Sequence, residues 1–197
     1  MTTLKAEKRS MDIKAKKLRR EGYVTGNVFG KNIKDSIPVK LLAGDVAKLL
    51  KTDHKGSQIL LDIDGEAHNA LIKEVDYNSM AGRFDEIDFQ ILISTEKVHS
   101  VAEVVLLNHD KVLEGVVQEE LEEISYRALP ADLVDKVEID LAAMRVGDVL
   151  RVKDLELAKN EKIDLMSNPE AIVVAISAVH NTEPEADEAA EEPAAKA

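Results

Sequence analysis

Residues 58–75 read Gln58-Ile-Leu-Leu-Asp-Ile-Asp-Gly-Glu-Ala-His-Asn-Ala-Leu-Ile-Lys-Glu-Val75, with an apolar run on each side of the dipeptide Asp64-Gly65. An Asp-Gly pair flanked by β-prone runs is a strong short-range signal for a hairpin. We therefore predict two strands, over 58–63 and 67–75, joined by a turn at Asp64 and Gly65. This hairpin indicates a β structure for the first half of the chain.

Three further segments of this half predict strands. Residues 2–9 alternate between apolar and charged side chains, and residues 24–29 are β-branched with glycine interruptions, which indicates a strand that bends. Residues 83–93 alternate most cleanly, so an apolar face opposes a polar face that carries Glu86, Asp88 and Gln90.

Two short helices complete the first half. Residues 14–21 fit a helix that ends at Gly22. A second helix is expected over 45–51, capped by Asp45 and burying Val46, Leu49 and Leu50. A small β-barrel with two helices accommodates all of these segments.

The second half is richer in strands. Residues 101–107, 112–118, 123–128, 137–141, 149–152 and 171–179 all favour β structure. They predict an antiparallel, sandwich-like domain that follows a junction at 94–98. The last residues contain Ala, Glu, Asp and Pro with almost no large apolar side chain, which predicts a disordered tail.

The resulting prediction is a mainly β fold with some α structure. A small barrel with two helices occupies residues 1–94, and a β-rich, sandwich-like domain occupies residues 95–180. A disordered acidic tail occupies residues 181–197.

Charge divides the chain along the same line. Residues 1–95 contain 16 basic and 14 acidic side chains, whereas residues 96–197 contain 10 and 24. The basic side chains of residues 1–40 include the run Lys14-Ala-Lys-Lys-Leu-Arg-Arg20. Such a cluster is typical of a phosphate-binding surface, although a solvated helix face explains it equally well.

Several classes of function are excluded by composition and spacing. The chain has no cysteine, so disulfides, thiolate zinc sites and cysteine nucleophiles are absent. Its five histidines lie at no metal-ligand spacing, and no nucleophile–base arrangement is apparent. No apolar run approaches membrane-spanning length, and no secretory signal is apparent. We expect a soluble, cytoplasmic, non-enzymatic protein without cofactor, metal, membrane partner or small-molecule substrate.

The order of short motifs carries a family resemblance. In the first half these motifs are Ala6-Glu-Lys-Arg9, Lys17-Leu-Arg-Arg-Glu-Gly22, Val28-Phe-Gly30, Leu71-Ile-Lys-Glu-Val75 and Ile87-Asp-Phe-Gln90. In the second half they are Gly115-Val-Val-Gln118, Ala128-Leu-Pro-Ala-Asp132, Val137-Glu-Ile-Asp140, Val146-Gly-Asp-Val149 and Val152-Lys-Asp-Leu155. The chain resembles the bacterial large-subunit ribosomal protein family L twenty-five, in its long form, also called general stress protein Ctc.

This resemblance implies binding of 5S ribosomal RNA by the barrel, alongside other RNA and proteins of the large subunit. The cations of the first strand and the basic helix would bind the RNA backbone, Phe29 would pack on a ribose or base or else in the core, and the polar face of the 83–93 strand would recognise bases. The RNA-binding residues that the resemblance implies are Arg9, Lys16, Lys17, Arg19, Phe29 and Asp88. The basic run itself adds Lys14 and Arg20 to the candidate set, and the strand face shared with Asp88 adds Gln90.

The chain departs from the family pattern on this expected face. Thr25 replaces a usual Pro, Phe29 a usual Tyr, and Glu86 a usual His, while Asn78-Ser79 replaces His-Pro. Glu86 adds repulsion toward phosphate, so we expect weaker 5S binding than in a typical member. The alternative function is a stress-response, protein-interaction factor whose ribosome association is weak or conditional.

Overall fold

The computed structural model describes residues 2–31, 33–111 and 115–178. The predicted tail over 181–197 lies outside these residues, as do the last residues of the predicted 95–180 domain and the start of the predicted 112–118 strand. Within the described residues, most of the secondary structure is β strand, and the α helices are short.

The first part of the chain is a closed six-stranded barrel with two short helices, as predicted. The strands follow one another around the barrel in the order β1-β3-β2-β6-β5-β4. The elements are β1 (Thr3–Lys8), α1 (Ala15–Arg20), β2 (Tyr23–Phe29), β3 (Ile37–Leu42), α2 (Ala43–Leu49), β4 (Gln58–Ile63), β5 (Glu66–Asn78) and β6 (Arg83–Ile91).

The predicted hairpin joins β4 to β5. The two strands are antiparallel, with Asp62 opposite Ala67. Asp64 and Gly65 both have positive φ angles, of 52° and 96°. Two successive positive φ angles match the twist of the flanking strands, which is why an Asp-Gly pair fits this position.

Aliphatic side chains from all six strands fill the barrel. The alternation predicted for residues 83–93 is present along β6, where Ile87 and Phe89 are fully buried. Val46 and Leu49 of α2 close one end of this core, and Leu50 packs against it. Parallel pairing of β1 with β4 and of β2 with β6 closes the cylinder.

Two local expectations for the barrel were wrong. Strand β3, which lies between β1 and β2, was not predicted, because Pro38 interrupts its alternating pattern. The second helix begins at Ala43, before Asp45, and no side chain of the described residues caps it. Its first amide is satisfied by the chain itself, since the Ala43 N–H donates to the Gly22 carbonyl at 2.9 Å.

The second part consists of two small sheets around a separate core, in agreement with the sandwich-like prediction. One sheet has the order β10-β7-β9-β12 and the other the order β11-β13-β8. The elements are β7 (Val98–Leu107), β8 (Gly115–Glu119), β9 (Glu123–Ala128), β10 (Lys136–Asp140), β11 (Val149–Arg151), α3 (Glu156–Lys159), β12 (Asp164–Leu165) and β13 (Ile172–Ala178).

One pairing in this part corrects the expectation of purely antiparallel sheets. Strand β10 runs parallel to β7, with Val137 opposite Val104. The chain that connects them also contributes β8 and β9, which makes room for the crossover that a parallel pair requires. Tyr126 of β9 lies at the centre of the core, and its hydroxyl bonds both the N–H and the carbonyl of Val134 at 2.8 Å.

The end of the barrel next to β7 contacts the second part through polar bonds. The Gln58 amide donates to the Pro130 carbonyl at 2.6 Å, and Ser100 donates to the Gly56 carbonyl at 3.2 Å. A Cβ atom on Gly56 would lie 2.0 Å from the Val101 carbonyl oxygen, so only glycine permits this approach. These contacts orient the barrel relative to the first sheet of the second part.

Candidate nucleic-acid interface

Helix α1 presents a row of cations to solvent. Leu18 is buried against the barrel and fixes which side of the helix faces outward. The helix ends before Gly22, as the sequence predicted, and Gly22 adopts the left-handed conformation with φ of 88°. The four exposed side chains, which we call the α1 cation row, are Lys14, Lys16, Lys17 and Arg20.

Arg19 belongs to the same helix but points toward the barrel. Its Nε donates to the Asp85 carbonyl oxygen at 3.0 Å, and its guanidinium lies 3.8 Å from the Asp85 carboxylate and 3.9 Å from that of Glu86. Its side chain is only 23% exposed. Arg19 was predicted to bind RNA, but in the structure its side chain holds α1 against β6.

Asp85 is the inward-facing partner that the sequence analysis did not assign to the site. It is 9% exposed, whereas its neighbour Glu86 faces outward, as expected for adjacent residues on a strand. Arg83 donates to its carboxylate at 2.8 Å and Asn78 at 3.2 Å. The hydrogen bond from Arg83 has the largest effect and that from Asn78 the next largest. Together they hold the pKa of Asp85 below its usual value, although burial acts to raise it.

Arg9 is half-buried at the end of β1 and orders the short loop that leads to α1. Its Nη2 donates to the Ile13 carbonyl at 3.0 Å, and its main-chain N–H donates to the Pro38 carbonyl at 2.9 Å. Its Nε is buried and has no hydrogen-bond partner among the described residues. Arg9 therefore lies beside the start of the segment that carries the α1 cation row, but it is not a member of the row.

Asp88 is held on the outer face of β6 by the neighbouring strand β2. Its Oδ1 accepts from the Asn27 main-chain N–H at 2.8 Å and from the Asn27 amide at 3.3 Å. The two strands can approach closely because Gly26 has no Cβ atom. A Cβ atom there would lie 1.9 Å from the Ile87 carbonyl oxygen. Asn27 was not predicted to belong to the site, because no local sequence pattern indicates that it contacts Asp88, 61 positions later.

A row of four carboxylates extends from Asp88 across the outside of the barrel. The register of β5 and β6 places Glu74 opposite Asp88 and Asp76 opposite Glu86. These side chains line one shallow cleft of about 270 Å³. We call them the acidic row; Glu74 and Asp76 were not singled out from the sequence. Because Glu86 also contacts Arg19, the acidic row begins directly beside α1.

Phe29 and Gln90 lie two residues further along the β2–β6 pair than Asn27 and Asp88, opposite each other in its parallel register. Phe29 is 36% exposed and lies outside the barrel core. Both residues line a second cleft, of about 390 Å³, together with Lys31 and Glu96, which form an ion pair at 2.6 Å. The structure therefore gives the predicted residues two locations along one pair of strands.

A metal site would need a cluster of His, Asp or Glu side chains among the described residues. No three His, Asp or Glu side chains of these residues are arranged to hold a metal ion. None of the described helices has the length and apolar character needed to cross a bilayer.

Comparison with known proteins identifies the family. Residues 4–89 match the model of the ribosomal L25p family, and residues 97–180 match that of the ribosomal protein TL5 C-terminal domain. A large ribosomal subunit protein bL25 from Bacillus pumilus is 32% identical, over 99% of this chain and 96% of its own length. The chain belongs to the ribosomal L25p family.

Further L25p relatives support this assignment. The proteins named large ribosomal subunit protein bL25 from Carboxydothermus hydrogenoformans and Caldanaerobacter subterraneus are 32% and 33% identical, over 82% and 88% of this chain. The matches to both parts agree with the long form of the family. Membership of a ribosomal protein family also confirms the expectation of a structural, non-enzymatic protein.

Proposed function

We propose that this chain is a structural protein of the large ribosomal subunit and that its barrel binds 5S ribosomal RNA. The observation that carries the proposal is the α1 cation row, which stands beside the outer face of β6 in a chain of net charge −12. The relatives named as large-subunit proteins supply the ribosomal context. This role implies a protein that acts on cytoplasmic ribosomes.

The α1 cation row is suited to the sugar-phosphate backbone of folded RNA. Its four members are exposed, and among the described residues only Lys17 has an ion-pair partner, Glu21, at 3.9 Å. Such a loose, exposed pair competes weakly with phosphate. Each phosphate contact releases condensed counterions, so the affinity from this row falls as salt is raised.

Asp88 supplies a different kind of contact. Asn27 fixes the carboxylate through Oδ1, and the second carboxylate oxygen makes no hydrogen bond within the described residues. An oriented carboxylate accepts from a base amine or a ribose 2′-hydroxyl, which distinguishes nucleotides in a way that a cation does not. Phe29 and Gln90, two residues further along the same strands, would extend this contact.

The acidic row limits the surface that RNA can cover. Glu74, Asp76 and Glu86 repel phosphates, so RNA is expected to touch β6 through base and ribose edges and to place its backbone along α1. This arrangement supports the expectation of weaker 5S binding than in members that carry His at the position of Glu86. It is also the observation that favours the alternative, a protein-interaction factor with conditional ribosome association.

Two measurements test the proposal with the full chain. Filter binding should give saturable affinity for a 5S transcript that exceeds the affinity for an unrelated structured RNA of equal length. Nucleotide-resolution footprinting should then give a continuous protected region on the 5S RNA. Equal affinity for both RNAs would contradict 5S recognition, and failure to cosediment with large subunits in moderate salt would favour the alternative.

A further inference from the structure

A groove of about 720 Å³ runs along β10 in the second part of the molecule. One wall is β10, and the other is formed by residues 154–157, Asn160 and Ile163, in and around α3. The proposed RNA-binding function does not involve this groove, which lies in the part of the chain with the greater excess of acidic residues.

The main chain of β10 is open toward this groove. Strand β10 is the outermost strand of its sheet and pairs only with β7 among the described residues. The Glu103 N–H donates to the Asp135 carbonyl at 3.0 Å, which fixes the alternation of the parallel ladder. Residues 137 and 139 therefore direct their main-chain groups to β7, and Lys136 and Glu138 direct theirs outward.

Apolar side chains form part of the groove lining. Val137 and Ile139 of β10 are 9% and 6% exposed, and they are joined there by side chains from the opposite wall. An added strand next to β10 would place alternate side chains over this apolar surface and point the others to solvent. The apolar side chains of the opposite wall are Leu155, Leu157 and Ile163.

The charges around the groove favour a basic occupant. Glu138, Asp154 and Glu156 line it, against the single cation Lys136. Residues 97–178 as a whole contain 17 acidic and 9 basic side chains. The chain's own last segment, residues 181–197, has six acidic side chains and one lysine, so the groove repels it.

We propose that this groove is a docking site for an extended, basic segment of a neighbouring protein, which adds a strand to the open edge of β10. Main-chain hydrogen bonds to Lys136 and Glu138 hold the segment. Its inward apolar side chains rest on the groove lining, and its outward lysines or arginines approach the surrounding carboxylates. The same carboxylates disfavour RNA phosphate at this place.

The test uses the full chain and a short labelled peptide of alternating lysine and valine. Fluorescence anisotropy should show saturable binding in moderate salt, and amide resonances of Lys136 and Glu138 should shift and become protected from hydrogen exchange. A peptide of the same sequence with N-methylated main-chain amides should bind at least about fivefold more weakly, because it cannot donate to the edge.

Two variants of the protein localise the site. Glu138→Pro removes an outward N–H without breaking the ladder to β7, and it should weaken peptide binding about fivefold or more. Glu156→Lys should weaken it about threefold or more by charge reversal beside the groove. Glu161→Lys is the matched control, since Glu161 is exposed nearby but does not line the groove, and its affinity should stay at the wild-type value.

Each other occupant has an outcome of its own that overturns the proposal. Displacement of the peptide by an RNA hairpin, with shifts at β10, would make the groove an RNA site. Concentration-dependent dimers that Glu138→Pro abolishes would make the occupant a second copy. Tighter peptide binding after removal of residues 181–197 would make it the chain's own tail. Equal affinity for the methylated and unmethylated peptides would exclude strand addition as the mode of binding.

Discussion

Arg19 and Asp85 are joined across 66 positions of sequence, because the Arg19 Nε donates to the Asp85 main-chain carbonyl at 3.0 Å. This bond fastens the basic helix to the strand that carries Asp88. It separates two kinds of cation at one short helix: Arg19, which holds the helix in place, and the exposed α1 cation row, to which we assign the RNA contact.

Replacing Arg19 should therefore affect mainly the stability of the protein, whereas replacing Arg20 should affect mainly RNA binding. Arg19→Ala removes a half-buried bond and should lower the free energy of unfolding by about 1–3 kcal/mol, as measured by urea denaturation. Arg20→Ala should leave stability within about 0.5 kcal/mol of wild type. The salt slope of 5S binding should instead decrease by about 1 for Arg20→Ala. Equal stability losses in the two variants would contradict the assignment of Arg19 to holding the helix.

Gly26→Ala should be strongly destabilising. The new methyl group would overlap the Ile87 carbonyl, 1.9 Å away, and both atoms belong to paired strands that cannot move independently. We expect a loss of about 2 kcal/mol or more in urea denaturation. Gly44→Ala is the matched control, because Gly44 lies in α2 with open space around it, and alanine there should stabilise by up to about 1 kcal/mol. A neutral Gly26→Ala would mean that β2 and β6 are not in close contact.

The elements that the sequence predicted well are those whose signal is local. The Asp64-Gly65 turn and the alternation along β6 depend only on neighbouring residues, so both were found with nearly correct bounds. Strand β3 was missed because Pro38 and the following leucines break the period of two. The parallel pairing of β10 with β7 leaves no local trace at all.

The candidate site divides in the same way. The α1 cation row is a run of adjacent residues and was visible as a charge cluster. By contrast, the inward turn of Arg19, the hold of Asn27 on Asp88, and the position of Glu74 opposite Asp88 all depend on strand register. Register joins residues far apart in sequence, so these features required the structure.

Neutralising the acidic row should strengthen RNA binding. The triple change Glu74→Gln, Asp76→Asn and Glu86→Gln removes three negative charges beside the path of the RNA, and it should raise the 5S affinity several-fold at low salt. The gain should shrink as salt is raised. Changing the exposed Glu66, Glu120 and Glu161 to Gln removes the same charge elsewhere and should give a smaller gain. Equal gains in affinity for both triple variants would mean that the acidic row affects RNA binding only through the net charge of the protein.

The stability of the barrel should depend on Asp85 in acid. The pKa of Asp85 is lowered in the folded protein by its hydrogen bonds with Arg83 and Asn78. Its contribution is therefore complete above the unfolded pKa, about 3.9, and is lost as pH falls toward the lower folded value. Asp85→Asn should be less stable than wild type at neutral pH, and urea denaturation should show the difference shrinking below about pH 4. A difference that is constant with pH would contradict this linkage.

The most direct test of the account is the salt dependence of 5S binding by the full chain without the three lysines of the α1 cation row. The change of Lys14, Lys16 and Lys17 to Ala should flatten the slope of log affinity against log salt by about 2–3. A matched triple change of the exposed barrel residues Lys34, Lys48 and Lys51 should alter the slope by less than about 1. A slope that is unchanged by the first triple, or equally reduced by both, would contradict the claim that α1 is the surface along which the RNA backbone lies.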